Sequence, residues 1–185
     1  MLERDWIYLE EASASLEDYL LSSQLYYPLG GFLKKHTDQG LLQLTLGNLL
    51  VTLARLQAVV WSGEKNQRLK QYQDHVDEIR QRWRSNWILK AEKEFLARLN
   101  LWQACIRDWA AGEEHTLTGY RHQVRWRVIL HLLCDEPLMR NHEETMLTGL
   151  DIRLRQISHA GPFVWEEELK AGFPESIYWY LYLSI

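Results

Sequence analysis

The chain has 185 residues, 46% hydrophobic and 25% charged, with four prolines and a formal net charge of −4. This composition excludes a disordered or low-complexity chain, and a domain of this length buries roughly 70% of its unfolded surface without disulfide or metal support. The slight acidity gives no overall attraction to nucleic acid or to an anionic membrane.

Charge is uneven along the chain. Met1 to Gln24 carries one basic against six acidic residues, Arg80 to Arg98 six basic against two acidic, and Thr116 to Cys134 three basic and none acidic. These segments are expected to neutralise one another in the fold. Nine tryptophans must fill a broad core, line a pocket or cover an interface. The opening MLERDWIYLEE is acidic where a secretory leader is basic. Cys105 and Cys134 stand apart with no CxxC pair, so a cytoplasmic location with reduced thiols is expected.

The first helix is expected from Ser15, where a hydroxyl precedes the Asp18 carboxylate by three residues in the manner of a capping box. Tyr27-Pro28-Leu29-Gly30-Gly31 marks a turn. A second helix begins near Thr37 or Asp38, with Leu42, Leu46, Leu49, Leu53, Leu56 and Val60 as its core seam. Within it Thr45, Asn48, Thr52 and Arg55 form a polar stripe. That pattern suits a helix buried on most sides of a bundle rather than a membrane span.

Residues 64–111 contain neither glycine nor proline and read either as one long helix or as two helices broken near Ser85-Asn86, a single helix, continuous or kinked there, being the expectation. Its apolar stripe keeps a heptad rhythm through Leu69, Tyr72, Val76, Ile79 and Trp83. It then advances by fours through Trp87, Ala91, Phe95 and Leu99. Each step of four turns the stripe by about 40°, so the two halves face different neighbours. Further helices are expected from Thr118 to Cys134 and from Pro137 to about Ser158. Gly161-Pro162 then ends the second of these, and a short helix follows from Pro162 to Ala171. The aromatic run from Ile177 to Leu183 has strand propensity, but a lone strand here would lack a partner within the chain, and a short packed helix is expected. The fold class is therefore all-α: one domain over 1–185, an irregular bundle of five to seven helices around the long helix at about 64–111.

Reactive motifs are sparse. No histidine follows a glutamate by three or four residues, as a di-iron bundle requires, and no His-x-x-x-His pair exists. His142-Glu143-Glu144-Thr145-Met146 lacks the second zinc ligand of HExxH. Asp74, His75, Asp77 and Glu78 read as a solvated helix face, with Glu78 pairing to Arg82. His131 and Asp135 read as a structural pair near a helix end. No GxSxG, Walker or GxGxxG sequence occurs, so no catalytic residue, metal or cofactor is assigned.

Three binding hypotheses remain. Tyr178, Trp179, Tyr180 and Tyr182 could cover a second copy of the chain or another protein, because tyrosine and tryptophan are enriched at interfaces. Arg80, Arg84, Arg121 and Arg125 could track phosphates beside tryptophans as an accessory nucleic-acid face; in this reading Glu94 pairs with Arg98, leaving Arg84 and Lys90 free in their segment. Trp102, Trp109, Trp126 and Trp165 could line a small-ligand pocket. The expectation is the first: a non-enzymatic interaction or assembly module, homo-oligomeric and away from membranes.

Overall fold

The computed structural model describes residues 2–30, 43–112, 117–134 and 141–185, the side chains at 117–118 and 141–144 excepted. The fold is all-α. Among the described residues there are six α-helices: α1 (Leu2–Leu21), α2 (Leu46–Gln57), α3 (Gly63–Arg82), α4 (Arg84–Ala110), α5 (Leu117–Cys134) and α6 (Asn141–Ile157). Two-residue strands β1 (Tyr27–Pro28) and β2 (Gln43–Leu44) pair antiparallel, as do β3 (His159–Ala160) and β4 (Leu183–Ser184). Short 3-10 turns span Glu167–Gly172 and Trp179–Tyr182.

Helix α1 starts thirteen residues before the expected Ser15. Asp5, Tyr8, Leu9, Ala12, Leu16, Tyr19 and Leu20 are all buried along it, so the helical period already runs through the acidic opening, and Ser15 lies in mid-helix rather than at a cap. The start expected for the second helix near Thr37 or Asp38 falls outside the described residues. Helix α2 itself is capped by Thr45, in extended conformation, whose hydroxyl accepts from the Asn48 amide at 3.2 Å. Leu46, Leu49, Leu53 and Leu56 form the buried seam, but α2 stops at Gln57 and Val60 is 98% exposed. The polar stripe is buried as well: Thr45, Asn48, Thr52 and Arg55 are each at most 8% exposed.

The path from 64 to 111 is interrupted at Trp83 (φ −111°, ψ 37°), two residues before Ser85. At this point the Trp83 indole N–H donates to Glu17 Oε1 of α1 at 2.9 Å, tying the junction to the first helix. The ladder resumes at once, with the Trp87 amide donating to the Trp83 carbonyl at 2.9 Å.

The chain divides into two compact units, Met1–Glu94 and Phe95–Ile185, with the division inside α4. In the first, α1 packs on α2 and α3 around Tyr8, Leu9, Leu16, Leu49, Leu56 and Trp87. The second is built on Phe95, Leu99, Trp102, Tyr120, Val124, Leu154 and Phe173. The C-terminal run forms a 3-10 turn at Trp179–Tyr182 in place of the expected short helix and then a strand, which the sequence reading sets aside for want of a partner within the chain; the partner is His159–Ala160. The Gly161 amide donates to the Tyr182 carbonyl and the Val164 amide to the Leu181 carbonyl, both at 2.9 Å. No described helix is long and apolar enough to cross a membrane.

Candidate docking surfaces

One face of α4 holds the first unit together. Asn86, Lys90 and Glu94 follow one another at steps of four, so they lie along one side of the helix. The Asn86 side-chain amide donates to the Leu20 carbonyl in the last turn of α1 at 3.1 Å. Lys90 Nζ donates to the Gln24 carbonyl and, at 3.3 Å, to Ser22 Oγ just beyond that helix, and sits 4.3 Å from the Tyr19 ring centre. Glu94 accepts from Thr45 Oγ1 at 2.6 Å and from the Gly47 amide at 2.8 Å, at the start of α2. A cation thus meets a helix C-terminus and an anion a helix N-terminus, each the favourable sign for the helix dipole. Lys90 is 6% exposed, which corrects the expectation of a free surface lysine. Burial, with nearby Lys93 adding to it, lowers its pKa from the ordinary lysine value. Burial, then the neighbouring Glu94, raises that of the Tyr19 phenol.

The four arginines proposed to track phosphates divide between the units. Arg84 is exposed on the first turn of α4, and the Arg80 guanidinium sits 5.4 Å from the Trp87 ring centre. Arg121 pairs with Glu166 at 2.7 Å, while Arg125 is half-buried on α5. Arg84 is exposed and the Arg121 side chain is 40% exposed but paired, while Arg80 and Arg125 are half-buried. Among the tryptophans read as a pocket lining, Trp102, Trp109 and Trp165 are buried and packed on other aromatics. Trp102 meets Trp109 edge-on at 5.4 Å, Trp109 meets Tyr120 at 5.4 Å, and Trp165 meets Phe173 at 5.1 Å. The Trp165 indole donates to the Arg121 carbonyl at 3.3 Å. Trp126 is half-buried.

The aromatic tail serves the core first. Tyr180 is fully buried, its carbonyl accepting from the Tyr120 hydroxyl at 2.6 Å. Tyr182 is buried and its hydroxyl donates to the Phe173 carbonyl at 2.9 Å. Arg127, in a two-pronged pair with Asp151 at 2.8 and 2.7 Å, lies 4.3 Å from the Tyr180 ring centre. Tyr178 packs between Phe173 and His131. Two of the four tail aromatics are therefore core residues. Trp179 remains half-exposed, with the Arg155 guanidinium of α6 stacked 3.5 Å from its ring centre. Ile152, one helical turn before Arg155, is 56% exposed, and Ile177, two residues before Trp179, is 50% exposed. Sequence reasoning reached Trp179 through the aromatic run but missed Ile152 and Arg155, whose relation to the tail is purely tertiary.

A second surface lies in the first unit, where α1 and α3 run side by side. Glu10, Ser13 and Ala14 of α1 and Glu64, Gln67, Arg68, Gln71, Tyr72 and His75 of α3 line an open groove of about 660 Å³. Arg68 bonds Glu10 at 3.0 Å and the Tyr72 hydroxyl at 3.2 Å. Beyond this groove the aromatic pair Trp6–Trp61, edge-on at 5.4 Å, carries Arg68 and Lys65 over its rings. Among the described residues no three His, Cys, Asp or Glu side chains converge as a metal site would require; Asp135 of the expected His131 pair and the side chains of His142, Glu143 and Glu144 fall outside that description.

No family model, curated protein or solved structure matches the chain.

Proposed function

We propose that the chain is a non-enzymatic protein-interaction module that assembles through the surface around Trp179. The observation carrying this reading is the stacked Arg155–Trp179 pair, with exposed Ile152 one helical turn before Arg155 and exposed Ile177 two residues before Trp179. Arginine and tryptophan are the residue types that dominate binding energy at interfaces, and half-exposed isoleucines supply the apolar area a partner would cover. Holding the guanidinium against the indole before binding lowers the cost of ordering both side chains. Tyr180 and Tyr182 act indirectly, anchoring the segment that presents Trp179. The partner in this reading is a second copy of the chain, and the two free cysteines suit a cytoplasmic setting.

The test is native mass spectrometry and sedimentation of the wild-type protein purified from its own host, beside Ile152→Asp and Ile177→Asp. Both positions are exposed enough to accept a charge without unfolding the chain. The expected result is a homo-oligomer in the wild type that either substitution converts to monomers of unchanged helicity. Wild-type monomers at micromolar concentration, or oligomers indifferent to both substitutions, would sink the idea.

A further inference from the structure

The α1–α3 groove is chemically unlike the tail surface and stands independently of it. Its α3 wall presents Glu64, Gln67, Gln71 and His75 at steps of three and four, a single row about 16 Å long. None of these four side chains makes a hydrogen bond or ion pair within the described residues. The groove also includes Ser13, which is 3% exposed and whose hydroxyl has no hydrogen-bond partner, a buried polar group left unsatisfied at a cost.

We propose that this groove binds a short extended peptide segment led by a lysine or arginine side chain. The charge at one end sets the direction. Arg68 is already bonded to Glu10, and Glu64, one helical turn earlier on the same groove wall, makes no ion pair within the described residues, so its negative charge is left over. An incoming cation sits there. The middle of the row is Gln67 and Gln71, each carrying both a donor and an acceptor, the complement of a peptide backbone that alternates N–H and C=O. Five extended residues span about 16 Å, the length of the row. At the far end His75 and the Ala14 methyl group meet an uncharged residue. Lys65, next to Glu64, is turned onto the Trp61 ring, 5.0 Å from its centre, and Lys70 lines a different groove with Leu69, Gln73 and Asp74. Neither faces the docked cation. A free polyamine shares the leading amine but carries a second cation, and Glu78, one helical turn beyond His75, is already bonded to Arg82 at 2.7 Å.

The experiment is a two-dimensional amide NMR titration of the full chain. The probes are acetyl-Lys-Ser-Gly-Ser-Gly-amide, the same peptide headed by glutamate, and spermidine. The lysine peptide is expected to give saturable shifts at millimolar concentration, centred on residues 10–14 and 64–75. Glu64→Gln should weaken it about threefold to fivefold, the scale of one exposed ion pair, whereas Glu175→Gln, an exposed acid in the other unit, should leave it unchanged. Absence of saturable shifts would overturn the proposal. So would equal binding of the glutamate peptide, tighter binding of spermidine than of the peptide, or equal weakening by both substitutions. Failure here leaves the oligomer test untouched, because Ile152 and Ile177 take no part in this groove.

Discussion

Glu94 shows how one buried side chain can organise two helices. Its carboxylate is fully buried and takes the Thr45 hydroxyl and the Gly47 amide, doing for α2 what a surface cap does elsewhere, but from another helix. Glu94→Ala leaves both donors without an acceptor and should cost about 3 kcal/mol. Glu94→Gln keeps one carbonyl oxygen while losing the negative charge at the helix start, and should cost about 1 kcal/mol. Urea unfolding of the two variants checks the order; equal losses would show that the negative charge, which both variants lose, accounts for the whole effect. Cys105 makes the complementary point about reactivity. It is 8% exposed, and burial followed by nearby Asp108 pushes its thiol up to about 11. A thiolate is the reactive form, so Cys105 should resist iodoacetamide at pH 8 and react on addition of denaturant, as peptide mass spectrometry would show.

At the scale of elements, the junctions carry the information that local sequence lacks. Where the 64–111 path breaks at Trp83, its indole N–H is bonded to Glu17, 66 positions earlier. Trp83→Phe keeps a ring and removes the donor, and should cost about 1 kcal/mol, whereas Glu17→Gln keeps an acceptor and should cost less. The C-terminal junction depends on space. A Cβ on Gly161 would lie 2.9 Å from the Leu183 carbonyl carbon and the Ser184 amide and closer still to Ser184 Oγ, so Gly161→Ala should push β4 off β3. A loss of about 1–3 kcal/mol, with faster hydrogen exchange at Gly161 and Val164, is the expected outcome. These cases mark what was legible. The buried row Trp87, Ala91, Phe95, Leu99, Trp102, Ile106 and Trp109 follows from period alone, because apolar residues recurring on one helix face have only one place to go. The start of α1 was legible in the same way, from the buried period of Tyr8, Leu9, Ala12 and Leu16, whereas the partner of β4 depends on a contact between distant residues. The candidate sites were less legible still. Trp179 stood out as an aromatic, but Arg155, Ile152 and the α1–α3 row become sites only when separate segments are brought together.

At the scale of the whole molecule, the distribution of tyrosines sets an alkaline limit to stability. Burial raises the phenol pKa of Tyr19 in the first unit and of Tyr120 and Tyr180 in the second. For Tyr19 the Glu94 charge adds to this, while for Tyr120 and Tyr180 the Arg127 guanidinium opposes it in part. A group whose folded pKa lies above its unfolded value of 10 contributes stability that is fully present below pH 10 and is lost as pH climbs toward the folded value. Well above pH 10 each such phenol costs about 1.4 kcal/mol per pH unit, so three together have removed about 4 kcal/mol by pH 11 relative to neutral pH. Lys90 works in the opposite direction, because a lowered amine pKa returns stability as pH rises toward 10.5, but one lysine cannot offset three phenols. With a domain's total stability at about 5–15 kcal/mol, both units should unfold within one to two units above pH 10. Phenolate absorbance should then rise in a cooperative step that coincides with loss of helical circular dichroism. Tyr180→Phe should move that step to higher pH, since its hydroxyl makes no hydrogen bond and its removal deletes one of the three linked ionisations. Titration of all nine tyrosines with helicity intact would mean that the buried rings are reached by solvent in the folded state, and that the aromatic core is looser than its edge-on contacts imply.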